Sequence, residues 1–364
     1  MIYNWQLREW ANFTFNRDAI SDIVSFFIEK EGEADVVLQS LNSEELQEEL
    51  IRCIISEAIT TSEIEGEYIS REDLMSSIKN KLGLNVKPET VKDKRALAIS
   101  NLLIEVRNSY NHRLTEKKIK QWHHFLFEDS KTIQAGKWRT SSESMQVVSG
   151  AIGHETVHYE APPSYRVPAE MKQFVKWHNS FEIKKKADIL VKTAVSHLYF
   201  ESIHPFEDGN GRIGRAIAEK CLAQSLGKPV LLSLSSVIEK NKKHYYAAFQ
   251  NSQNTLEITD WIVYFANVIK QAQIEAVEIV RFSIQKSHFF DRFKTELNDR
   301  EQKVINKMFD AGHEGFIGGM TAKKYISITK TSKATATRDL QHLVEIGALL
   351  QKGEGRSVHY LLRV

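Results

Sequence analysis

Twelve consecutive residues, His204-Pro205-Phe206-Glu207-Asp208-Gly209-Asn210-Gly211-Arg212-Ile213-Gly214-Arg215, hold the densest chemistry in this sequence. Gly209 and Gly211 admit backbone angles closed to other residues, and they bracket Asn210 just before an expected helix. Successive N–H groups at a helix start form a concavity for anions, and the helix dipole favours negative charge there. Arg212 and Arg215 are three positions apart and share one helix face, away from the apolar stripe of Ile213 and Ile217. Two guanidiniums beside a row of N–H groups suit several phosphates. Asp208 is the carboxylate to hold Mg2+ against those phosphates. His204 stands at the loop entrance, placed to take a proton from an incoming hydroxyl. Packing alone would explain any one of these residues, but not all of them within one loop. The segment is not a Walker A loop, which needs Lys followed by Ser or Thr. It is not a dinucleotide fingerprint either, since no strand precedes it.

The elements that position such a loop read as helices. Glycine (17) and proline (6) are too scarce among 364 residues for a turn-dense β architecture. With 42% hydrophobic and 26% charged residues the composition is that of an ordinary soluble globular protein, long enough for two or three domains. Residues 42–60 carry a capping box (Asn42 and Glu45) and an apolar stripe through Leu50, Ile51, Ile54, Ile55 and Ala58, with Gly66 as terminator. Residues 88–108, 115–128, 186–202 and 240–285 also read as helices. β-formers on both sides of Gly150 and Gly153 read as an isolated hairpin, and residues 1–40 as a small packing module.

Formal charges of 49 Lys+Arg against 47 Asp+Glu leave +2, so no global field draws in nucleic acid or an anionic membrane. Cys53 and Cys221 are the only cysteines, which excludes a disulfide framework and a four-cysteine zinc site. Arg8 and Glu9 break the opening apolar run, and no stretch approaches a membrane span. A cytoplasmic location without membrane contact is the expectation.

HPFEDGNGRIGR resembles the Fic motif, H-P-F-x-[DE]-G-N-G-R-x-x-R, at every defining position. The resemblance implies a mainly α fold, with a Fic-type helical core, a small β-hairpin flap and a C-terminal winged helix-turn-helix. It also implies transfer of AMP from ATP, with Mg2+, to a Ser, Thr or Tyr hydroxyl of a target protein. His204 matches the general base and Asp208 the metal ligand. Gly209, Asn210 and Gly211 match the anion nest, Arg212 a β-phosphate contact and Arg215 the γ-phosphate arginine. Doc proteins, which phosphorylate, carry Lys where Gly211 stands here. The flap, around 136–160 and beginning at Gly136-Lys137-Trp138-Arg139, is where the target would dock by strand addition. Asn241, Tyr245 and Tyr246 resemble the segment lining the adenine pocket, although a tyrosine pair on a helix equally suits a core.

Thr61-Ser62-Glu63-Ile64-Glu65-Gly66 resembles the Fic inhibitory motif, in which Glu65 captures Arg215. The implied organisation is an N-terminal helical region over 1–110 with an inhibitory helix at 42–66, a catalytic core over 111–285 and a winged helix over 293–364. In the last, Lys330, Lys333, Arg338 and His342 lie on the expected recognition helix, with Lys323, Lys324, Lys352 and Arg356 nearby, for a DNA or a protein partner. Fic proteins of this class often form homodimers. Two other readings use the same residues: a nucleotide-sensing DNA-binding regulator, and an enzyme removing AMP with Glu65 activating water.

Overall fold

The computed structural model describes residues 2–149, 156–312 and 315–363. It is mainly helical, 64% helix and 5% strand, with two small antiparallel hairpins. In chain order the helices are α1 (Ser21–Gln39), α2 (Ser43–Ile64), α3 (Arg71–Lys81), α4 (Lys94–Asn108) and α5 (Glu116–Phe127). A hairpin of β1 (Gln146–Ser149) and β2 (Thr156–Glu160) precedes α6 (Val167–Ser180), α7 (Lys186–Ile203) and α8 (Asn210–Leu226). Then come α9 (Leu234–Lys240), α10 (Lys242–Ser252), α11 (Thr259–Phe293), α12 (Asp299–Phe309), α13 (Ala322–Thr329) and α14 (Lys333–Glu345), and a hairpin of β3 (Leu349–Lys352) and β4 (His359–Leu362).

The chain divides into two compact units, one of residues 1–33 and 42–274 and the other of 34–41 and 275–364. In the first, one apolar cluster runs from Ile51 and Ile55 of α2 through Leu102, Trp122 and Phe174 to Ile213 and Ile217 of α8. Residues 1–33 and 42–110 belong to the same body as the helices around the loop. Helix α7 is buried on every side from Asp188 to Ile203, as expected of a helix without a polar face. The α2 capping box forms as the sequence indicates: the Asn42 side chain accepts from the N–H groups of Glu44 and Glu45.

Two expectations are corrected and one element is added. The added element is helix α3, whose apolar residues (Leu74, Met75, Ile78) are few among charges and which Ser70 caps. Helix α4 starts at Lys94, where Asp93 provides the N-cap, and not at 88. The helix expected over 240–285 is broken between α10 and α11, where Glu257 bridges to Thr14 of the N-terminal arm.

That arm has a definite task. Trp5 donates its indole N–H to the Glu160 carbonyl of β2 at 2.7 Å. Buried Asn4 donates to Ser202 Oγ at 3.1 Å and accepts from the Tyr159 hydroxyl at 3.2 Å. The arm thus ties the base of the hairpin to the end of α7, next to His204.

In the second unit, α12, α13, α14 and the β3–β4 hairpin close over a core including Phe289, Val304, Met308, Tyr325, Leu340 and Tyr360. Buried Asp339 of α14 joins its helices, pairing with Arg300 at 2.9 Å and accepting from the Tyr325 hydroxyl at 2.8 Å. Two residues expected to offer charge to a partner are engaged internally. His342 Nδ1 lies 2.8 Å from Glu301, and Lys324 donates to the carbonyls of Ile317 and Gly319. Lys323, Lys330, Lys333, Arg338 and Lys352 remain exposed, while the Arg356 side chain lies outside the described residues.

Candidate active site

The loop joins α7 to α8. His204 ends α7 in the left-handed region (φ +48°), a conformation costly for a residue with a Cβ, so its surroundings must hold it there. Arg139 does so. Its Nε donates to the His204 carbonyl at 2.7 Å, and its Nη2 to the carbonyls of Ile203 and Pro162. The Arg139 N–H meets the Pro205 carbonyl at 3.0 Å. Burial lowers the Arg139 pKa to about 10, which still leaves it cationic at neutral pH.

His123, on α5, holds the other side of the loop. Its Nδ1 accepts from the Gly136 N–H at 2.9 Å, so Nε2 carries the proton and donates to the Asp208 carbonyl at 3.2 Å. Its ring stacks on Phe206 with centroids 3.9 Å apart. Sequence reasoning missed His123, because nothing local separates it from its neighbour His124. Of the segment expected to begin the flap, Trp138 and Arg139 are buried beneath the loop, with Trp138 packed on Phe206, while Gly136 is half-buried and Lys137 exposed. The strands β1 and β2 form the expected hairpin, and the residues between them, Gly150 and Gly153 included, lie outside the described residues.

A first expected outcome concerns this scaffold. Arg139→Ala strips the donors from several buried carbonyls at once, at about 1–3 kcal/mol each. Urea unfolding should show a loss of at least about 3 kcal/mol. A variant within about 1 kcal/mol of wild type would refute the role given to Arg139.

Gly209 (φ +79°) is required on two counts: the left-handed turn, and the Phe127 ring, which would be 2.5 Å from any Cβ there. Asn210 locks the turn, its side chain bonding both the N–H and the carbonyl of Phe206 at 2.9 Å. The first intrahelical bond of α8 runs from Ile213 N–H to the Gly209 carbonyl, so the N–H groups of Asn210, Gly211 and Arg212 point out of the helix start. Asp208 is more than half exposed beside them, its Oδ1 4.0 Å from Arg212. One exposed carboxylate next to an anion site matches the way Mg2+ is held, by one or two carboxylates plus phosphates and water. Among the described residues no group of three or more His, Cys, Asp or Glu forms an all-protein metal cage.

Both arginines are held by carboxylates from the end of α2. Arg215, nearly fully buried, donates to Glu65 Oε1 at 2.8 Å, to Thr61 Oγ1 at 2.8 Å and to the Thr61 carbonyl at 2.9 Å. Arg212 donates to Glu67 at 3.0 Å, with its guanidinium over the Phe127 ring. Glu65 covers the helix start, since a Cβ at Gly211 would lie 2.3 Å from its Oε1. Burial pulls the Glu65 pKa up, but the charges of Arg215, Arg212 and Lys242 more than reverse this and hold it below the ordinary value. Sequence reasoning missed Glu67, just beyond the stretch it singled out, and gave Thr61, within that stretch, no contact with Arg215.

A buried network anchors α2. Glu57 accepts from Ser233 Oγ at 2.7 Å and the Ser235 N–H at 3.1 Å. Arg107 bridges Cys53 of α2 and Glu219 of α8.

His204 is largely enclosed, and burial first, then the Arg139 charge, pushes its pKa down to about 4. It is neutral at pH 7, the state a proton acceptor needs. Of the expected adenine-lining residues, Tyr245 is buried, its hydroxyl 2.8 Å from His197 Nε2 among Phe249, Trp261 and Tyr264. Tyr246 is exposed with its ring against Tyr245, and Asn241 lies at the α9–α10 junction, also exposed. The charges of Glu65, Arg215 and Glu201 act on both phenols, so the pair borders the loop.

Residues 113–222 match the model of the Fic/DOC family, and residues 3–84 match a domain of unknown function, DUF4172. Over 95 residues the chain is 32% identical to a probable protein adenylyltransferase of Aquifex aeolicus (strain VF5), covering 26% of this chain and 27% of that one. Over 130 residues it is 28% identical to protein adenylyltransferase fic-1 of Caenorhabditis elegans, covering 36% and 22%. The chain spans about a quarter of the length of these curated relatives. Among solved structures, a Fic family protein from Desulfovibrio desulfuricans G20 superposes with a TM-score of 0.57 at 20% identity, over 96% of this chain and 97% of that one. Fic-1 from C. elegans superposes with a TM-score of 0.52 at 18% identity, over 74% and 75%. These two likenesses show the fold.

Proposed function

Because the chain carries a Fic/DOC domain over residues 113–222, we propose that it is a protein adenylyltransferase, moving AMP from ATP to a hydroxyl of a target protein and of itself. The observation that carries this reading is the row of outward N–H groups at the start of α8, with Arg212 and Arg215 on the same helix and His204, kept neutral by burial, at the entrance of the same loop. Phosphoryl centres need charge neutralisation and alignment more than covalent help. The N–H row and the arginines hold the polyphosphate. His204 accepts the proton of the attacking hydroxyl; the new O–P bond forms at the α-phosphate and pyrophosphate leaves. Asp208 would hold Mg2+, which when bound neutralises phosphate charge. The β1–β2 hairpin offers strand edges for an extended target segment. Among the described residues no helix is long and apolar enough to cross a membrane. Within the second unit, α12, α13, α14 and the β3–β4 hairpin are read as a winged helix that docks a DNA or protein partner through its exposed lysines. Intact-mass spectrometry after incubation with ATP, Mg2+ and lysate tests the proposal. One added AMP per modified site is expected; an unchanged mass even when Glu65 is removed would overturn it.

Glu65 and Glu67 together make the resting state inhibited, one carboxylate on each phosphate-binding arginine. Glu67 is about one-third exposed and meets Arg212 at 3.0 Å, a pair worth about 0.5–1 kcal/mol. Glu67→Gln in a Glu65→Gly background should tighten binding of a non-hydrolysable ATP analogue about 2- to 5-fold by calorimetry. Unchanged or weaker affinity would remove Glu67 from the brake.

A further inference from the structure

Two buried polar atoms lie one helical turn apart, Nδ1 of His204 and Oε1 of Glu201: neither has a hydrogen-bond partner at ordinary geometry, and the His204 ring is approached only by the Glu201 backbone carbonyl. The other carboxyl oxygen of Glu201, Oε2, lies 3.8 Å from that Nδ1, too long for a hydrogen bond and within one rotamer adjustment of it. Helix α8 makes room for this carboxyl. A Cβ at Gly214 would stand 2.3 Å from Glu201 Oε1 and 3.2 Å from its Cγ, so position 214 must lack a side chain for Glu201 to sit where it does.

We propose that Glu201 is the positioning residue for His204, its carboxylate taking Nδ1–H and so fixing the ring tautomer that leaves Nε2 free to accept a proton. This rests on the proton-accepting role given to His204 above. A neutral Glu201 does the opposite: it donates to Nδ1, the ring proton moves to Nε2, and the imidazole offers a donor where an acceptor is needed. With Glu201 ionised, the hydroxyl O–H breaks, Nε2–H forms, and the resulting imidazolium lies beside a carboxylate.

The charged and titratable neighbours of Glu201 come from three helices. On α8, Arg215 favours its ionised form; at the C-cap of α2, Glu65 opposes it. The phenols of Tyr245 and Tyr246 on α10 also feel its charge. His204 in turn feels Arg139, Glu65, Asp208 and the backbone carbonyl of Glu201. Burial is the largest influence on Glu201 and, with Glu65 docked, holds its pKa up to about 8. Withdrawing Glu65 removes the one charge that raises it. Release of the arginine and activation of the base thereby become a single event.

The test is the 15N spectrum of the His204 ring in imidazole-labelled full-length protein across roughly pH 6 to 9.5, assigned with His204→Ala. The protonated nitrogen should change from Nε2 to Nδ1 as pH rises, with a midpoint near 8 in wild type and lower in Glu65→Gly. Glu201→Gln should abolish the exchange; Glu201→Asp, which keeps a titrating acid, should retain it. In the Glu65→Gly background, Glu201→Gln should also lower AMP transfer about 10- to 100-fold and erase the limb that rises with pH. A ring that keeps one tautomer throughout, as the Glu201 carbonyl alone would hold it, overturns the proposal, as does an unchanged pH profile. If Glu65→Gly transfers no AMP at all, the functional reading fails, while the ring spectrum still decides the role of Glu201.

Discussion

Replacing Glu65 with glycine is expected to raise self-labelling from α-labelled ATP by about 10- to 100-fold. The estimate follows from the bond removed, a charge-assisted hydrogen bond worth about 1.5–3 kcal/mol. In the resting structure that bond occupies Arg215 and puts the carboxylate over Gly211, the surface a polyphosphate needs. The substitution should leave the site standing. Arg215 keeps both bonds to Thr61, α2 keeps its anchors at Cys53 and Glu57, and position 65 is only the C-cap of the helix. Labelling should fall back to background when His204→Ala is added. Equal labelling of wild type and Glu65→Gly would remove the brake. Acid is a poor substitute for the mutation. Because Arg215 and its neighbours depress the Glu65 pKa, the pair is fully present above the ordinary carboxylate value. It weakens only as pH falls through the lowered one.

The second large effect is expected from His204→Ala in the Glu65→Gly background: AMP transfer lower by about 10²- to 10⁴-fold, the usual contribution of a positioned base. ATP affinity should be nearly unchanged, because the phosphate-binding groups are backbone N–H donors and arginines on α8. Stopped transfer rates and calorimetric titration separate the two quantities. Transfer within about tenfold of the parent, or loss of ATP binding, would show that His204 shapes the loop and does not take the proton.

The resting fold constrains both experiments. Arg139 and His123 hold the loop through backbone carbonyls, from α5 and from the segment just before the hairpin. A substitution at either would disturb His204 and Asp208 together and could not be read as a loss of chemistry.

Much of the site was legible from the chain alone, because it is local. Glycines, an asparagine and a helix start build an anion site within a few residues, and their spacing is the spacing of the chemistry. The same locality made the α2 capping box and the apolar stripes of α2 and α8 readable. The Glu65–Arg215 pair spans 150 positions and was expected only through resemblance to a known motif. What the tertiary structure alone decided are partnerships between distant segments that no local pattern encodes. Among them are Glu67 on Arg212, Arg139 beneath His204, His123 beneath Asp208, and the space that Gly214 leaves for Glu201. The structure also separated Tyr245 from Tyr246, adjacent in sequence yet one buried and one exposed, since consecutive helical residues point about 100° apart and only packing selects which faces the core. Backbone geometry acts over one or two helical turns, and helix packing acts across the whole unit; the first is written in the order of residues, the second only in how they close on one another.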